Sequence, residues 1–569
     1  METMRAALAA LGAVMALWTG GAARAAEPLP AMTVVLTPVA AGGRIERLEV
    51  DMTVQAPRVA AGQPLLRMPT FVVGVPTAAY DARAISARDD QGELPLTIED
   101  EPPTPTGHYR RWLPARATSG DVRLRYGTAP RVVDAKTRNG PLFDLRSEAG
   151  GVVGAGIYFL APPAGEQRYR LSLRWNLDRV PTGWRGVSSF GEGPRTAEAT
   201  SEMLGFSYFA AGPVRSEPAE VDTAFALYWL ATPPFDTAGL ARDIRQLYDH
   251  MARFFDDSGA PYRIFVRGNP YPAGGGTAGN RSFMFGYGVG GQTSSGDDLQ
   301  MLLAHEITHN WPRMNVGEHG ETAWYSEGTA EYYSVLLARR AGVIDLAKFQ
   351  RVINEHAAGY YTNPFLALSN VEVGKRFWQD ARAQRVPYGR GFMYLARVDA
   401  LLRAKTAGRQ SLDDLVRQVL RRQRAGEKVG NPEWVAMVTA ILGDDARKDF
   451  DAMVAGERLE IPPNSFGPCF APAAKREVPF DLGFDEMRLA SVNGLRSDSG
   501  AARAGLADGD EIVRMTPIRE VKNDPAKTIS VTYRRGGEER TVSFLPRSAG
   551  VPSTEWRRVE GVADAECKL

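Results

Sequence analysis

The sequence predicts a multidomain α+β protein: a β-rich N-terminal part, a mostly helical centre and a β-rich C-terminal module. Three observations carry this. Residues 27–232 hold segments such as "RIERLEVDMTV", "DVRLRYG" and "YRLSLRWNL", which alternate apolar and polar positions between Pro and Gly turns. From Asp236 the period becomes helical, in "DTAGLARDIRQLYDHMARFFDD", with an acidic start. After residue 478 alternation returns and ends in a hairpin pattern around Gly536 and Gly537. At 569 residues the chain is too long for one domain, and 44% hydrophobic residues suffice for proper cores.

Residues 1–25 have the pattern of a signal peptide. Arg5 precedes an apolar run from Ala6 to Trp18, and Ala23-Arg24-Ala25 supplies the small residues of a cleavage site. The run is too short to span a bilayer, and no later segment is long and apolar enough. The expectation is an exported protein, periplasmic or secreted, with no membrane span. Lys and Arg total 68 against 67 Asp and Glu, so nothing in the charge points to nucleic acid or an anionic membrane as partner.

Next come the β-rich region, residues 27–232, and the mostly helical region, residues 233–461. Within the latter "YRIFVRG" and "RSFMFGYGVGG" read as strands, and the Gly/Pro stretch between them, "GNPYPAGGGTAGN", as a loop. Residues 462–477, "PPNSFGPCFAPAAKR" within them, read as a linker. Residues 478–550 form the β module, and residues 551–569 a tail. The two cysteines, Cys469 and Cys567, flank this last part of the chain. In an oxidising space a bridge between them would close it on itself; two free thiols are equally compatible with the sequence.

The chemistry centres on "LLAHEITHNW" (residues 302–311). Ser294 or Ser295 can cap a helix here, and Asp297 and Asp298 suit its positive end. Four helical steps turn the chain by about 400° and raise it by about 6 Å, so His305 and His309 point from one face. Imidazoles so placed can both reach one zinc at about 2 Å. Glu306, one step round, is placed to reach a water beside the metal rather than the metal itself. The chain has only six histidines, and two bracket this glutamate. A catalytic zinc also needs a third protein ligand and an open position. Pro312 and Asn315 stand where a metzincin continuation would require Gly and His. Downstream, in "TAWYSEGTAEYY", Glu327 opens a helical stretch and Glu331 follows one turn later. Glu327 is the expected third ligand. Glu331 is the expected orienter of a ligating imidazole, or else an exposed helix charge. His319, among Gly317 and Gly320, is a rival ligand or a surface residue.

Together, "HEITHNW", "WYSEGTAEYY", "VPYGRGFMYLARVDALLRA" and "SGAARAGLADGDEIV" resemble the PDZ-containing glycyl aminopeptidase family of gluzincin metallopeptidases. The resemblance runs from about Thr232 to Arg547. It implies a thermolysin-like catalytic domain behind the β-rich region, one Zn2+ per chain on His305, His309 and Glu327, and Glu306 as general base. It implies that Tyr388, in "YGRG", donates a hydrogen bond to the oxygen on which charge develops. Arg390 stands where the family more often has Lys. The resemblance also implies an edge strand, here "GYGVGGQTSS", whose Gly290 and Gly291 let a peptide lie close. Gln292 then stands where a glutamate grips the substrate's amine. An amide supplies no counter-charge, and a charge-assisted bond is roughly twice as strong as a neutral one. In the tail, "GAARAGLADGDEIV" resembles the core of a bacterial PDZ domain. Leu482, Gly483 and Phe484 of "DLGF" would be its terminus-binding loop for C-terminal peptide tails, or the module would serve packing alone. The expected function is a zinc aminopeptidase for peptides with small N-terminal residues, Gly or Ala. The alternatives are an endopeptidase, or peptidase of altered specificity, favoured by Gln292, and a non-catalytic peptide-binding protein.

Overall fold

The computed structural model describes residues 28–567 except 105–106, 135–136, 138–139, 221–223, 258, 260, 271–274, 289–295, 378, 487 and 523. The signal-peptide reading of residues 1–25 therefore lies outside the described residues, as do Gly290, Gly291, Gln292, Ser294 and Ser295. The chain divides into two compact units, one reaching to Val132 and including Phe143–Pro213, the other made of Val133–Leu142 and Val214–Leu569.

In the first unit the alternating segments are strands. Ala31–Ala41 pairs antiparallel with Arg44–Val54 and parallel with Arg168–Trp175 inside a seven-stranded sheet. Met32, Val34 and Leu36 are fully buried while their neighbours face outward, as a strand with one covered face requires. Two short helices, α1 (Gly156–Phe159) and α2 (Ser201–Gly205), belong to this unit.

The second unit begins with a five-stranded sheet ordered Arg215–Glu217, Phe225–Trp229, Tyr262–Asn269, Ser282–Gly288 and Gly275–Gly279. Phe225–Trp229, Tyr262–Asn269 and Ser282–Gly288 run parallel. Parallel neighbours need a crossover, which α3 (Thr237–Phe254) supplies between the first two. The Asp236 carboxylate accepts from the N–H groups of Ala238 and Gly239 and starts that helix. The glycine-rich stretch expected as a loop contains an edge strand, Gly275–Gly279, antiparallel to Ser282–Gly288. The Phe283 ring lies where a Cβ on Gly276 would stand, so the absence of a side chain permits the pairing.

Helices follow: α4 (Gly296–Thr308), α5 (His319–Arg340), α6 (Leu346–Thr362), α7 (Asn370–Arg376), α8 (Ala381–Gln384), α9 (Val386–Thr406), α10 (Leu412–Arg424), α11 (Asn431–Leu442) and α12 (Asp444–Ala455). One core of aromatic and aliphatic side chains joins the sheet to these helices. α5 starts at His319, eight residues ahead of Glu327, so that glutamate sits inside a helix rather than opening one. α5 and α9 cross backbone to backbone. A Cβ on Gly328 would lie 2.5 Å from the Gly391 Cα, and one on Gly391 would strike the Trp324 carbonyl. These glycines set Glu327 and the start of α9 side by side. Gly391→Ala must push the helices apart in a packed core, at a cost of about 1–3 kcal/mol; the measurement is the thermal midpoint together with metal retention.

Strands also occur within residues 462–477 and 551–569. Phe470–Glu477 and Val551–Arg558 form an antiparallel ribbon. The driving force is burial of Trp556, which is fully inaccessible, packs 4.8 Å from Phe466, and has its backbone held by Asn354 and Gln350 of α6. Cys469 and Cys567 are bonded, with Cα atoms 5.3 Å apart and a sequence separation of 98. Closing a loop of that length removes roughly 4–5 kcal/mol of chain entropy from the unfolded state. Reduction is accordingly expected to lower the thermal midpoint of this unit; an unchanged midpoint would show that the bond contributes nothing.

Between ribbon strands, residues 478–550 form a module with its own core, including Leu482, Phe484, Val492, Val531 and Tyr533. It contains a three-stranded antiparallel sheet of Glu511–Met515, Ile529–Arg535 and Glu538–Phe544, with short helices α13 (Gly500–Arg503) and α14 (Ile518–Lys522). No helix among the described residues is long and apolar enough to cross a membrane.

Candidate metal centre

α4 ends one residue before His309. Its last turn is tightened by Asn310 and Trp311 N–H groups donating to Ile307 and Thr308 carbonyls, and the Trp311 indole is tied to Asp257 at 2.7 Å. This fixes His305 and His309 toward a common point, with their Nε2 atoms 3.0 Å apart. Glu327 comes from α5, its Oε2 3.4 Å from His305 Nε2 and 3.5 Å from His309 Nε2. Among the described residues these three form the group of metal-type side chains whose ligand atoms converge.

The donor set fits zinc. Ligand atoms on a tetrahedral zinc with bonds of about 2.0–2.1 Å stand about 3.3 Å from one another. The three separations here, 3.0, 3.4 and 3.5 Å, bracket that value. Glu327 Oε2 is buried without a hydrogen-bond donor upon it, a costly state for a carboxylate unless a cation sits there. Two imidazoles and one carboxylate leave the fourth position open, the arrangement of a catalytic rather than a structural zinc.

Around this triangle the remaining charges are close-set. Glu331, one turn beyond Glu327, is largely buried; its Oε1 lies 3.5 Å from His305 Nδ1 and its Oε2 3.2 Å from His356 Nε2. The first distance is long for a hydrogen bond, so the attraction is mainly electrostatic. It favours the tautomer with the proton on Nδ1, leaving the Nε2 lone pair for a metal. His356, on α6, packs with its ring tilted against Phe392, centroids 4.6 Å apart. No local signal in the sequence points to it: it stands alone on its helix, with no spacing relation to either glutamate motif. Tyr388, in the first turn of α9, lies parallel to the His305 ring at 5.6 Å. His319 is exposed at the start of α5 with its ring edge-on to Phe377, and is not among the converging atoms.

Burial and charge set the protonation of the polypeptide groups. Burial pushes the Glu306 carboxyl up, opposed by the imidazoles of His305 and His309. Burial also acts upward on Glu327 and Glu331. For Glu327 the nearby imidazoles of His305 and His309 outweigh it and hold the carboxyl well below the usual range. For Glu331 the charges of His356 and His305 outweigh it and bring the carboxyl down to about 2. Burial lifts the Tyr388 phenol far above its ordinary value, helped by Glu327, Glu306 and Glu331, so Tyr388 is an O–H donor at neutral pH. Arg390 explains its own fork. Buried in α9, it donates through Nη1 to Asn370 Oδ1 and through Nη2 to the carbonyls of Leu366 and Leu368, so its planar fork serves three acceptors at once.

The terminus-loop residues lie in the C-terminal module. Leu482 and Phe484 are buried in its core, and the Gly483 N–H already donates to Asp481 Oδ1 at 3.0 Å. Leu482, Phe484, Glu331 and Tyr388 all border one cavity of about 950 Å³.

No family model matches the chain, and no curated protein matches it. Among solved structures, an aminopeptidase N family protein from Idiomarina loihiensis is similar with a TM-score of 0.62 and 15% identity, over 92% of this chain and 98% of that one. This shows a shared fold. An M1 zinc metallopeptidase mutant from Deinococcus radiodurans, bound to a Tyr-Ser-Ala substrate, gives a TM-score of 0.46 and 17% identity over 76% of this chain and 95% of that one. Native yeast LTA4 hydrolase gives 0.46 and 12% identity over 76% of this chain and 69% of that one.

Proposed function

We propose that this chain is a zinc-dependent peptidase of the glycyl aminopeptidase kind among gluzincins, acting on peptides with small N-terminal residues. The observation that carries the reading is the convergence of His305, His309 and Glu327 on one point, with Glu306 and Tyr388 beside it. Zinc held there would supply Lewis acidity, polarising a carbonyl and making water nucleophilic near neutral pH. Glu306 takes a proton from the attacking water and passes it to the leaving amine. A carboxyl whose affinity for protons is raised by burial is suited to both halves of that task. The Tyr388 O–H stabilises the oxygen on which charge develops. Tyr388→Phe keeps the ring and deletes the donor; kcat is expected to fall about 10²–10³-fold with zinc content unchanged. Equal kcat values would remove Tyr388 from the mechanism.

Glu331 orients His305 in this reading. Loss of such a partner weakens metal binding by about 10–100-fold, so Glu331→Ala should show that shift in a chelator competition. His356 holds the other Glu331 oxygen, and His356→Ala should give a smaller shift of the same sign.

Export through residues 1–25 and a PDZ-like C-terminal module are part of the proposal. The supports are the sequence pattern at the N-terminus and the resemblance of "SGAARAGLADGDEIV". Gln292 in place of an amine-binding glutamate favours a second reading, an endopeptidase. Hydrolysis of paired unblocked and N-blocked peptides separates the two. Dependence on the free amine supports the aminopeptidase, cleavage of blocked peptides the endopeptidase, and bound zinc without turnover a peptide-binding protein.

A further inference from the structure

The cavity beside the candidate metal centre is walled by two parts of the second unit. Tyr388, Glu331 and His356 stand at one side; Phe480, Glu486 and Lys522 of the C-terminal module stand at another. At about 950 Å³ it has the size of a small-ligand site.

Its polar lining is uneven. Arg385, the residue before α9, places Nη1 3.1 Å from Glu486 Oε1, while Lys522 places Nζ 3.8 Å from Glu486 Oε2. The Glu486 side chain is 17% exposed, against 61% for Arg385 and 45% for Lys522. Two cations thus meet one carboxylate, which holds them in place without neutralising both. Elsewhere in the lining the carboxylates are the more numerous partners: Arg382 pairs with Asp380, Arg496 faces both Asp481 and the solvent-facing Asp498, Glu355 pairs with Arg351, and Glu331 lies between His305 and His356. Arg385 is three residues ahead of Tyr388, one helical turn or about 5 Å along the axis. A guanidinium and an ammonium that share one carboxylate, lining the same cavity as Tyr388 and Glu331, match the free α-carboxylate of a short peptide. A charge-assisted contact of this kind is among the stronger polar interactions.

We propose that Arg385 and Lys522, held by Glu486, form a subsite for the C-terminal carboxylate of short peptide substrates, so that the C-terminal module contributes a wall of the substrate site. This rests on the peptidase reading and narrows its substrates to small peptides with a free C-terminus. The test compares kcat/KM for a set of tripeptides and their C-terminal amides on the zinc-loaded full chain. The free acids are expected to be favoured by about tenfold or more. In Arg385→Gln and in Lys522→Gln, both at partly exposed positions, that ratio falls toward one; Arg385→Lys and Lys522→Arg, which keep the charges, retain most of it. Calorimetry with the Glu306→Gln chain should show the same acid-over-amide split in binding alone. Equal treatment of acid and amide by the unmodified chain, or a ratio that survives both Gln substitutions, overturns the subsite while leaving the peptidase standing. Absence of turnover on every peptide overturns the peptidase reading and this subsite with it.

Discussion

Glu306→Gln is expected to abolish peptide hydrolysis, by about 10²–10⁴-fold at least, while the protein keeps its zinc. The replacement preserves volume and hydrogen-bonding capacity but cannot accept a proton. Glu306 follows His305 directly on α4, and the ligand atoms that converge belong to His305, His309 and Glu327. The substitution therefore separates chemistry from metal binding. Turnover and zinc content are measured on the same preparation. Unchanged turnover removes Glu306 as the general base, and lost zinc would assign it to the ligand set instead.

Glu327→Ala is expected to have the larger effect on the metal itself. It removes the carboxylate that lies within 3.5 Å of both imidazoles and leaves two neutral nitrogen ligands. A catalytic zinc is held by three protein ligands, so the expected result is loss of the metal to a competing chelator under conditions where the unmodified chain retains it. Turnover should be lost with the metal. Acidification should act in the same direction. Without metal, burial pushes the His305 imidazole down, but the Glu331 and Glu327 carboxylates outweigh it and raise its proton affinity well above the ordinary value. Protons then compete with zinc for that nitrogen, so zinc affinity falls as pH falls. A zinc affinity that stays flat, or rises, on acidification would contradict this ligand set.

Parts of the site were open to inspection in the sequence because they depend on local geometry. Two histidines four positions apart on a helix must face one way, and their Nε2 atoms lie 3.0 Å apart. The place of Glu327 depends instead on how α5 packs against α4, which periodicity cannot supply; residue type and the neighbouring Glu331 suggested it. Tyr388 is one of 19 tyrosines, and only the family resemblance distinguishes it. What sets it beside His305 is the tight Gly328–Gly391 crossing. His356 carried no local signal at all, since its partner is on another helix. At the fold level, alternating strands and the helix after Asp236 were legible from periodicity and capping. The ribbon of Phe470–Glu477 with Val551–Arg558 was not. It pairs segments more than seventy residues apart, and one of them lies in "PPNSFGPCFAPAAKR", whose prolines read as linker. The Gly275–Gly279 edge strand was hidden for a similar reason, since its residues have no apolar alternation to show.

The most direct test is metal analysis of the purified full chain, titrated with zinc and followed by hydrolysis of an unblocked peptide. The account predicts one tightly held zinc per chain, activity that rises in step with occupancy, and loss of both in Glu327→Ala. A chain that takes up no zinc, or whose hydrolysis is indifferent to zinc occupancy, would contradict it.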